Sequence, residues 1–289
     1  MKIKAFLKFG ARTGRDCRID RDDRNNWDER PNRKDRNMKI KSMIVVALFF
    51  IFTATVLGAA ESPDFKAIFK TIDDRLNFMK SDYSAMYTIV HDQPGKDQQV
   101  TEAKIFRRDT GDKLTIVILK PDVNKGQGYI NLEGNLWFYD PETRKFIHSS
   151  AKENFQSSDA KNSDFRKSSF SDDYDVESFT DGKLGKIETY VVNLKGRTNE
   201  VTYPFLKTWI SRKDGLLLKT ESYSLTNRLM RTSLFPSYVR VGDNLISDKM
   251  LFSDEIEKGN KTQITIKDLS LAAIPDYVFT KSYLEQVNR

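Results

Sequence analysis

The sequence predicts a mainly β protein with one N-terminal helix, arranged as an antiparallel sandwich or barrel. Three observations support this fold class: one amphipathic helical segment follows residue 61, short apolar runs with a period near two come after it, and turn signals separate those runs. No part of the chain alternates strands with long helices, which excludes a parallel α/β sheet.

The helix is predicted over residues 65–79. Ser62-Pro63-Asp64 is typical of a helix start, with Ser62 as the N-cap and Pro63 at the first helical position. Apolar side chains then recur at helical spacing, so that one face of the helix is expected to pack against the sheet. This apolar face consists of Phe65, Ile68, Phe69, Ile72, Leu76 and Met79.

In the rest of the chain, the apolar pattern predicts short strands separated by turns such as Gln93-Pro94-Gly95 and Lys213-Asp214-Gly215. The predicted strands are 83–90, 100–108, 113–120, 127–132, 135–139, 144–148, 187–194, 202–212, 215–223, 229–236, 238–241, 245–252 and 262–271. Residues 151–186 interrupt this pattern, because they are rich in Ser, Asp, Asn and Lys. We predict a long polar loop there, either a lid or binding loop or an excursion without function.

Charge separates an N-terminal segment from the body of the protein. Residues 1–42 hold 14 Lys and Arg and 7 Asp and Glu, residues 43–60 hold no charge, and residues 61–289 hold 34 of each sign. The basic pI therefore comes from residues 1–42, and the balanced body gives no reason to expect a nucleic-acid partner. Residues 1–37 are too polar to order themselves, and we interpret them as a start placed too early, with Met38 as the true start; the alternative is a genuine basic arm.

Residues 38–60 are typical of a secretory signal peptide. A basic start at Met38 is followed by an apolar centre and by small residues, which place Gly58 and Ala60 at the −3 and −1 positions of a cleavage site. The mature chain is then expected to begin near Glu61 and to form one domain over 61–289. The alternative is an uncleaved membrane anchor.

Few residues are available for catalysis or metal binding. The only cysteine is Cys17, and the two histidines, His91 and His148, are predicted at the surface. Gly126-Gln127-Gly128 precedes strand-like residues, so it does not resemble a phosphate-binding loop. The sequence therefore predicts neither an enzyme nor a metal or other cofactor site, and an exported hydrolase is the least favoured hypothesis.

The remaining candidate is an apolar cavity. A curled antiparallel sheet covered by a helix can enclose a space for acyl chains, although the same side chains can simply fill a core. The cavity residues that we predict lie on the helix face or in predicted strands: Phe65, Phe69, Ile72, Leu76, Trp137, Tyr139, Trp209 and Leu217.

Several motifs, taken in order, resemble the outer-membrane lipoprotein-sorting proteins, the LolA-like periplasmic carriers. They are Gly126-Gln127-Gly128-Tyr129-Ile130, the hairpin from Gly134 to Phe146, Asn162-Ser163-Asp164-Phe165, the stretch from Thr208-Trp209-Ile210 through Leu218-Lys219, Lys261-Thr262-Gln263-Ile264, and the closing stretch from Ile274 to Leu284. The resemblance covers nearly all of residues 62–286. One departure is Phe146-Ile147-His148-Ser149-Ser150, where that family usually carries further arginine.

The resemblance implies an unclosed antiparallel β-barrel covered by helices, which holds acyl chains and performs no chemistry. It also implies a monomer in the periplasm of a diderm bacterium, which receives lipoprotein or lipid from an inner-membrane exporter and delivers it to an outer-membrane acceptor. The alternative from another class is a structural or interaction module of the cell envelope with a filled β core.

Overall fold

The structure, a computed structural model, describes residues 62–287. Three α-helices are present in this part of the chain: α1 (Phe65–Leu76), α2 (Phe170–Asp173) and α3 (Lys281–Gln286). The thirteen strands are β1 (Tyr83–Asp92), β2 (Gln99–Arg108), β3 (Lys113–Lys120), β4 (Gly128–Leu132), β5 (Asn135–Asp140), β6 (Lys145–Ser149), β7 (Tyr174–Leu184), β8 (Ile187–Gly196), β9 (Phe205–Ser211), β10 (Leu217–Tyr223), β11 (Leu229–Val241), β12 (Asn244–Asp254) and β13 (Lys261–Ser270). The signal segment, with Gly58 and Ala60, lies outside the described residues.

All thirteen strands belong to one antiparallel sheet. Their order is β6-β5-β4-β3-β2-β1-β13-β12-β11-β10-β9-β8-β7, so β1 pairs with the last strand and joins an N-terminal half to a C-terminal half. The end strands β6 and β7 do not pair with each other, and the sheet stays open. This confirms the predicted fold class, an unclosed antiparallel β-barrel with an N-terminal helix.

Helix α1 begins at Phe65, as predicted, but it has a different N-cap and ends three residues earlier than predicted. The N-cap is Asp64 and not Ser62, because the Asp64 carboxylate accepts a hydrogen bond from the Ala67 backbone N–H at 3.0 Å. The helix ends at Leu76, where Asn77 turns to an extended conformation. Met79 therefore lies beyond the helix and is 53% exposed.

Two predicted strands merge into the single long strand β11. The predicted strands 229–236 and 238–241 are separated at residue 237, directly after Pro236, which has no backbone N–H to donate to a neighbouring strand. In the structure, Pro236 lies where the pairing of β11 with β12 shifts register between Leu234 and Ser237. A bulge of this kind accommodates proline without ending the strand.

The predicted polar loop 151–186 contains regular structure, and that prediction is wrong for its second half. Residues Tyr174–Leu184 form β7, which pairs with β8 along its whole length. Most β7 side chains are exposed, so the strand carries no alternation of apolar and polar residues that would reveal it. Earlier in the segment, Phe155 and Phe165 are buried in the core, with ring centroids 4.4 Å apart.

The core lies mainly on one face of the sheet, which we call the inner face. Near the middle of the sheet it contains Phe78, Tyr83, Ile105 and Ile116, and towards β8 to β10 it contains the apolar face of α1. Helix α3 packs on the opposite, outer face, where Leu284 contacts β3 to β5. A Cβ atom at Gly128 would lie 2.6 Å from the Ile116 backbone oxygen and 2.7 Å from Leu284 Cδ2, which explains why glycine occupies this position.

Candidate functional site

A cavity of about 640 Å³ lies on the inner face of the sheet, beside α1. Strands β1 and β9 to β13 form its floor, and the end of α1 together with residues 163–174 and 198–203 forms its walls. The volume is within the range of small-molecule sites, about 300–1,000 Å³. The geometry therefore provides space for a ligand next to the helix.

Part of the lining is apolar or aromatic. Leu206, Leu217, Phe252 and Ile266 are buried lining residues from four different strands. Such side chains form a surface suited to hydrocarbon.

The phenol groups in the lining are neutral. The Tyr83 and Tyr87 hydroxyl oxygens lie 3.1 Å apart, and burial raises the pKa of both side chains. Burial also raises the pKa of Tyr203 to about 12. At neutral pH these groups therefore carry no charge, and they offer a ligand only hydrogen bonds and ring surface.

Two buried arginines line the same cavity, and each is paired with one carboxylate. Arg231 donates two hydrogen bonds to Asp164, at 2.6 and 2.9 Å, while its guanidinium lies 4.4 Å from the centre of the Phe252 ring. Arg107 likewise donates to Asp109 at 3.0 and 2.7 Å. Each pair is neutral as a unit, so the arginines give the cavity polarity without a net charge.

Helix α1 holds one wall of the cavity through Asp73. The Asp73 carboxylate is buried and accepts hydrogen bonds from Ser168 Oγ at 2.5 Å, Phe170 N at 3.0 Å and Ser171 N at 2.8 Å. Asn77 adds two more bonds, since it exchanges hydrogen bonds with the Ser168 backbone at 2.7 Å each. The carboxylate thus satisfies the first amides of α2 and fixes residues 168–171 to α1.

Of the predicted cavity residues, Leu76 and Leu217 line the cavity. Phe65, Phe69 and Ile72 lie beside it, in the buried contact between α1 and strands β8 to β10. They attach the helix to the sheet and do not face the open space. Binding of a ligand by any of these five side chains stays a prediction.

The three predicted aromatic residues on strands lie on the outer face, which corrects their assignment to the interior. Trp137 and Tyr139 alternate with Leu136 and Phe138, which pack in the inner core, and they contact the α3 side of the sheet instead. Trp209 alternates with buried Thr208 and Ile210, and it packs between the amino groups of two lysines. A shift by one residue reverses the face of a strand, and one sequence does not fix that register.

The other candidates from the sequence have structural roles. His91 is not at the surface: it is 3% exposed in β1, with its Nδ1 3.0 Å from Thr262 Oγ1. Gly126 adopts a φ of 89° in the turn before β4, a conformation that glycine adopts without strain. Within residues 62–287, no group of three or more His, Cys, Asp or Glu side chains is placed to hold a metal ion.

Sequence reasoning missed the polar residues of the cavity. Arg231 and Ser233 alternate along a predicted strand and both are buried. A charged residue on the inward face of a strand is the one signal that could have revealed the site. Without the register, however, the sequence does not show which face of the strand Arg231 occupies.

The comparisons with known proteins agree on the fold. One solved structure that resembles this chain is a LolA superfamily protein from Nitrosomonas europaea; the two share 21% sequence identity over 75% of this chain and 98% of the other, with a TM-score of 0.66. Another is a putative outer membrane lipoprotein-sorting protein domain from Vibrio parahaemolyticus, with 18% identity over 76% of this chain and 98% of the other and a TM-score of 0.68. A third is a DUF1329 family protein from Desulfovibrio piger (21%, 76% and 98%, TM-score 0.66). At these identities the likeness shows the shared fold.

The sequence itself matches no curated protein. No helix within residues 62–287 has both the length and the apolar composition to cross a membrane. A family model described as "-like: Uncharacterized protein" matches residues 110–286, which is more than half of the chain. The chain therefore belongs to the family that this model describes, and its fold is the LolA-like open barrel.

Proposed function

We propose that this protein is a carrier that binds the acyl chains of a lipoprotein or lipid in the cavity beside α1 and performs no chemistry on them. The cavity of about 640 Å³ is the observation that carries the proposal, since a structural module with a filled core would leave no such space. In this proposal the protein works in the periplasm, after removal of residues 38–60 as a signal peptide. It receives cargo at the inner membrane and delivers it to the outer membrane.

Two features support a carrier that opens and closes. The wall of residues 168–171 is attached to α1 by hydrogen bonds from a few side chains, chiefly those of Asp73 and Asn77. The floor, in contrast, is a continuous hydrogen-bonded sheet. A ligand can therefore enter by displacement of the wall while the sheet keeps its shape.

The first test looks for a natural ligand. Native mass spectrometry of protein purified from its own periplasm is expected to detect co-purifying lipid or acylated protein. A ligand-free protein that also takes up no fluorescent acyl probe would contradict the carrier and favour the envelope module.

The second test fills the cavity from its floor. Met250 lines the cavity, whereas its neighbour Leu251 is on the outer face of β12. Met250→Trp is expected to reduce uptake of a fluorescent acyl probe about tenfold or more, because the indole occupies the ligand's space. Leu251→Trp is the matched control and should bind the probe as well as wild type, with circular dichroism to confirm that both variants fold.

A further inference from the structure

The floor of the cavity carries a polar patch at its centre, formed by Thr220, Ser222, Arg231 and Ser233. Thr220 and Ser222 lie on β10, and the register pairs them directly with Ser233 and Arg231 on β11. All four residues line the cavity, and their exposures are 6%, 1%, 8% and 2%. Direct cross-strand partners have Cβ atoms about 4.5–5.5 Å apart, so the four side chains form one compact group.

Three atoms of this patch have no hydrogen-bond partner among the described residues: Thr220 Oγ1, Ser233 Oγ and Arg231 Nε. Buried polar groups are rarely left unpaired, because their desolvation is then not compensated. Both terminal nitrogens of Arg231 donate to Asp164, and Nη1 also donates to the Asp159 backbone oxygen at 3.3 Å, whereas Nε has no partner among the described residues. Hydroxyl groups of Ser and Thr reorient by rotation about one bond, which lets both turn towards a ligand.

The charge of the patch limits the ligand group that fits it. Asp164 neutralises Arg231, and the hydroxyl groups are uncharged, so nothing in the patch compensates the burial of a second carboxylate or a phosphate. The two hydroxyl groups and the Arg231 Nε–H can donate to a neutral carbonyl oxygen, which accepts two hydrogen bonds. The apolar part of the floor, formed by Leu206, Leu217 and Phe252, then receives the hydrocarbon attached to that carbonyl.

We propose that the patch is a subsite for the ester carbonyl of an acyl chain, so that the cargo's acyl linkage is bound inside the cavity together with its hydrocarbon. This inference rests on the proposed carrier function. It adds that the protein selects acyl esters over alkyl chains that lack the carbonyl group.

The test compares two probes that differ in one carbonyl group, monomyristoylglycerol and its tetradecyl ether. Their affinities are measured by displacement of a fluorescent acyl probe, below the concentrations at which either compound aggregates. The wild-type protein is expected to bind the ester about 3- to 10-fold more tightly, the range of one or two net hydrogen bonds. The double variant Thr220→Val with Ser233→Ala should lose most of this preference and still bind the ether.

Thr189→Val is the matched control. Thr189 is completely buried on β8, and its Oγ1 also has no partner among the described residues, but it does not line the cavity. This variant is expected to keep the full ester preference. Loss of the preference in Thr189→Val as well would overturn the assignment to the patch.

The possible outcomes distinguish a failure of the ester subsite from a failure of the proposed carrier function. Equal affinity of the wild-type protein for ester and ether overturns the subsite and leaves the carrier intact; this is also the result if the two hydroxyl groups only bond each other or a water molecule. Failure to bind either compound overturns both proposals. If the double variant does not fold, Ser233→Ala alone supplies the comparison, since it removes one small hydroxyl group.

Discussion

Arg231 is a buried cation whose charge is balanced by one carboxylate. Asp164 accepts two hydrogen bonds from its guanidinium and also one from the Lys161 backbone N–H at 2.6 Å. One carboxylate thus joins residues 161–164 to the middle of the sheet. Removal of such a partner leaves an unpaired charge in a low-dielectric environment. The free energy of unfolding that is lost in this way exceeds the net stabilisation that the intact pair provides.

Asp164→Asn should therefore destabilise the protein by about 3–5 kcal/mol, measured by urea denaturation. The control makes the same chemical change in an exposed pair: Asp175, 66% exposed, bonds Arg197 at 2.9 Å. Asp175→Asn is expected to cost less than about 1 kcal/mol, because solvent screens that pair. Similar losses in the two variants would show that Arg231 is not confined to a water-free site.

The ion pair of Asp82 with Arg108 is expected to make the free energy of unfolding depend on pH. Hydrogen bonds from Arg108, at 2.8 and 2.9 Å, hold the pKa of Asp82 below its usual value of 3.8. A lowered folded-state pKa gives stability that is complete above the unfolded pKa and is lost as pH falls through the folded pKa. The Ile274 backbone N–H also donates to Asp82 at 2.6 Å, so the effect includes attachment of the C-terminal segment.

The free energy of unfolding should consequently be higher for wild type than for Asp82→Asn at neutral pH. The difference should stay constant down to a pH near 4 and then shrink, because the protonated carboxyl resembles the amide. Urea denaturation of wild type and Asp82→Asn, at several pH values from neutral to below about 4, measures this difference in the free energy of unfolding. A difference that does not change with pH would mean that Asp82 is not the titrating group.

At the scale of elements, the contact between α1 and α2 depends on hydrogen bonds made by the side chains of Asp73 and Asn77. Asp73→Asn removes the negative charge that accepts from the Phe170 and Ser171 amides, at a cost of about 1 kcal/mol. Hydrogen exchange at these amides should accelerate about 5-fold, while exchange in the sheet stays unchanged.

Asp74→Asn is the control, since the neighbouring carboxylate is exposed and pairs only with Lys70. It should leave exchange at Phe170 and Ser171 at the wild-type rate. Faster exchange throughout the sheet in Asp73→Asn would instead mean that α1 is needed for the whole fold.

The elements that sequence reasoning found are those with a strong local pattern. Helix α1 has a continuous apolar face, and the strands other than β7 have apolar residues on at least one side. Strand β7 was missed because its stability comes from backbone pairing with β8 and not from burial of its own side chains. Local patterns report burial, so they give little signal for a strand such as β7, in which most side chains are exposed.

The candidate site was less predictable than the fold for the same reason. Helical spacing identified Leu76, but the faces of Trp137 and Trp209 depend on strand register. The polar patch depends on it even more, because Thr220 and Ser233 become neighbours only through the pairing of β10 with β11. Long-range pairing of this kind is not encoded in any short stretch of residues.

At the scale of the whole molecule, positive and negative charges are balanced, and the basic and acidic side chains that line the cavity balance each other as well. Residues 61–289 hold 34 basic and 34 acidic residues, and the lining arginines Arg107, Arg166 and Arg231 pair with Asp109, Asp112 and Asp164, respectively. Neither the net charge nor the cavity then attracts a charged ligand over long distances. Binding should depend on apolar surface and on short-range hydrogen bonds.

An acyl ligand should therefore stabilise the protein equally at low and high salt. At about 100 times its dissociation constant, a ligand that binds only the folded state adds about 2.7 kcal/mol to the free energy of unfolding. Salt up to moderate concentrations screens exposed charges but leaves such binding nearly unchanged. Urea denaturation with and without monomyristoylglycerol, at both salt concentrations, measures the two differences. Stabilisation that disappears at moderate salt would show that charges outside the cavity hold the ligand, and the cavity would then not be the binding site.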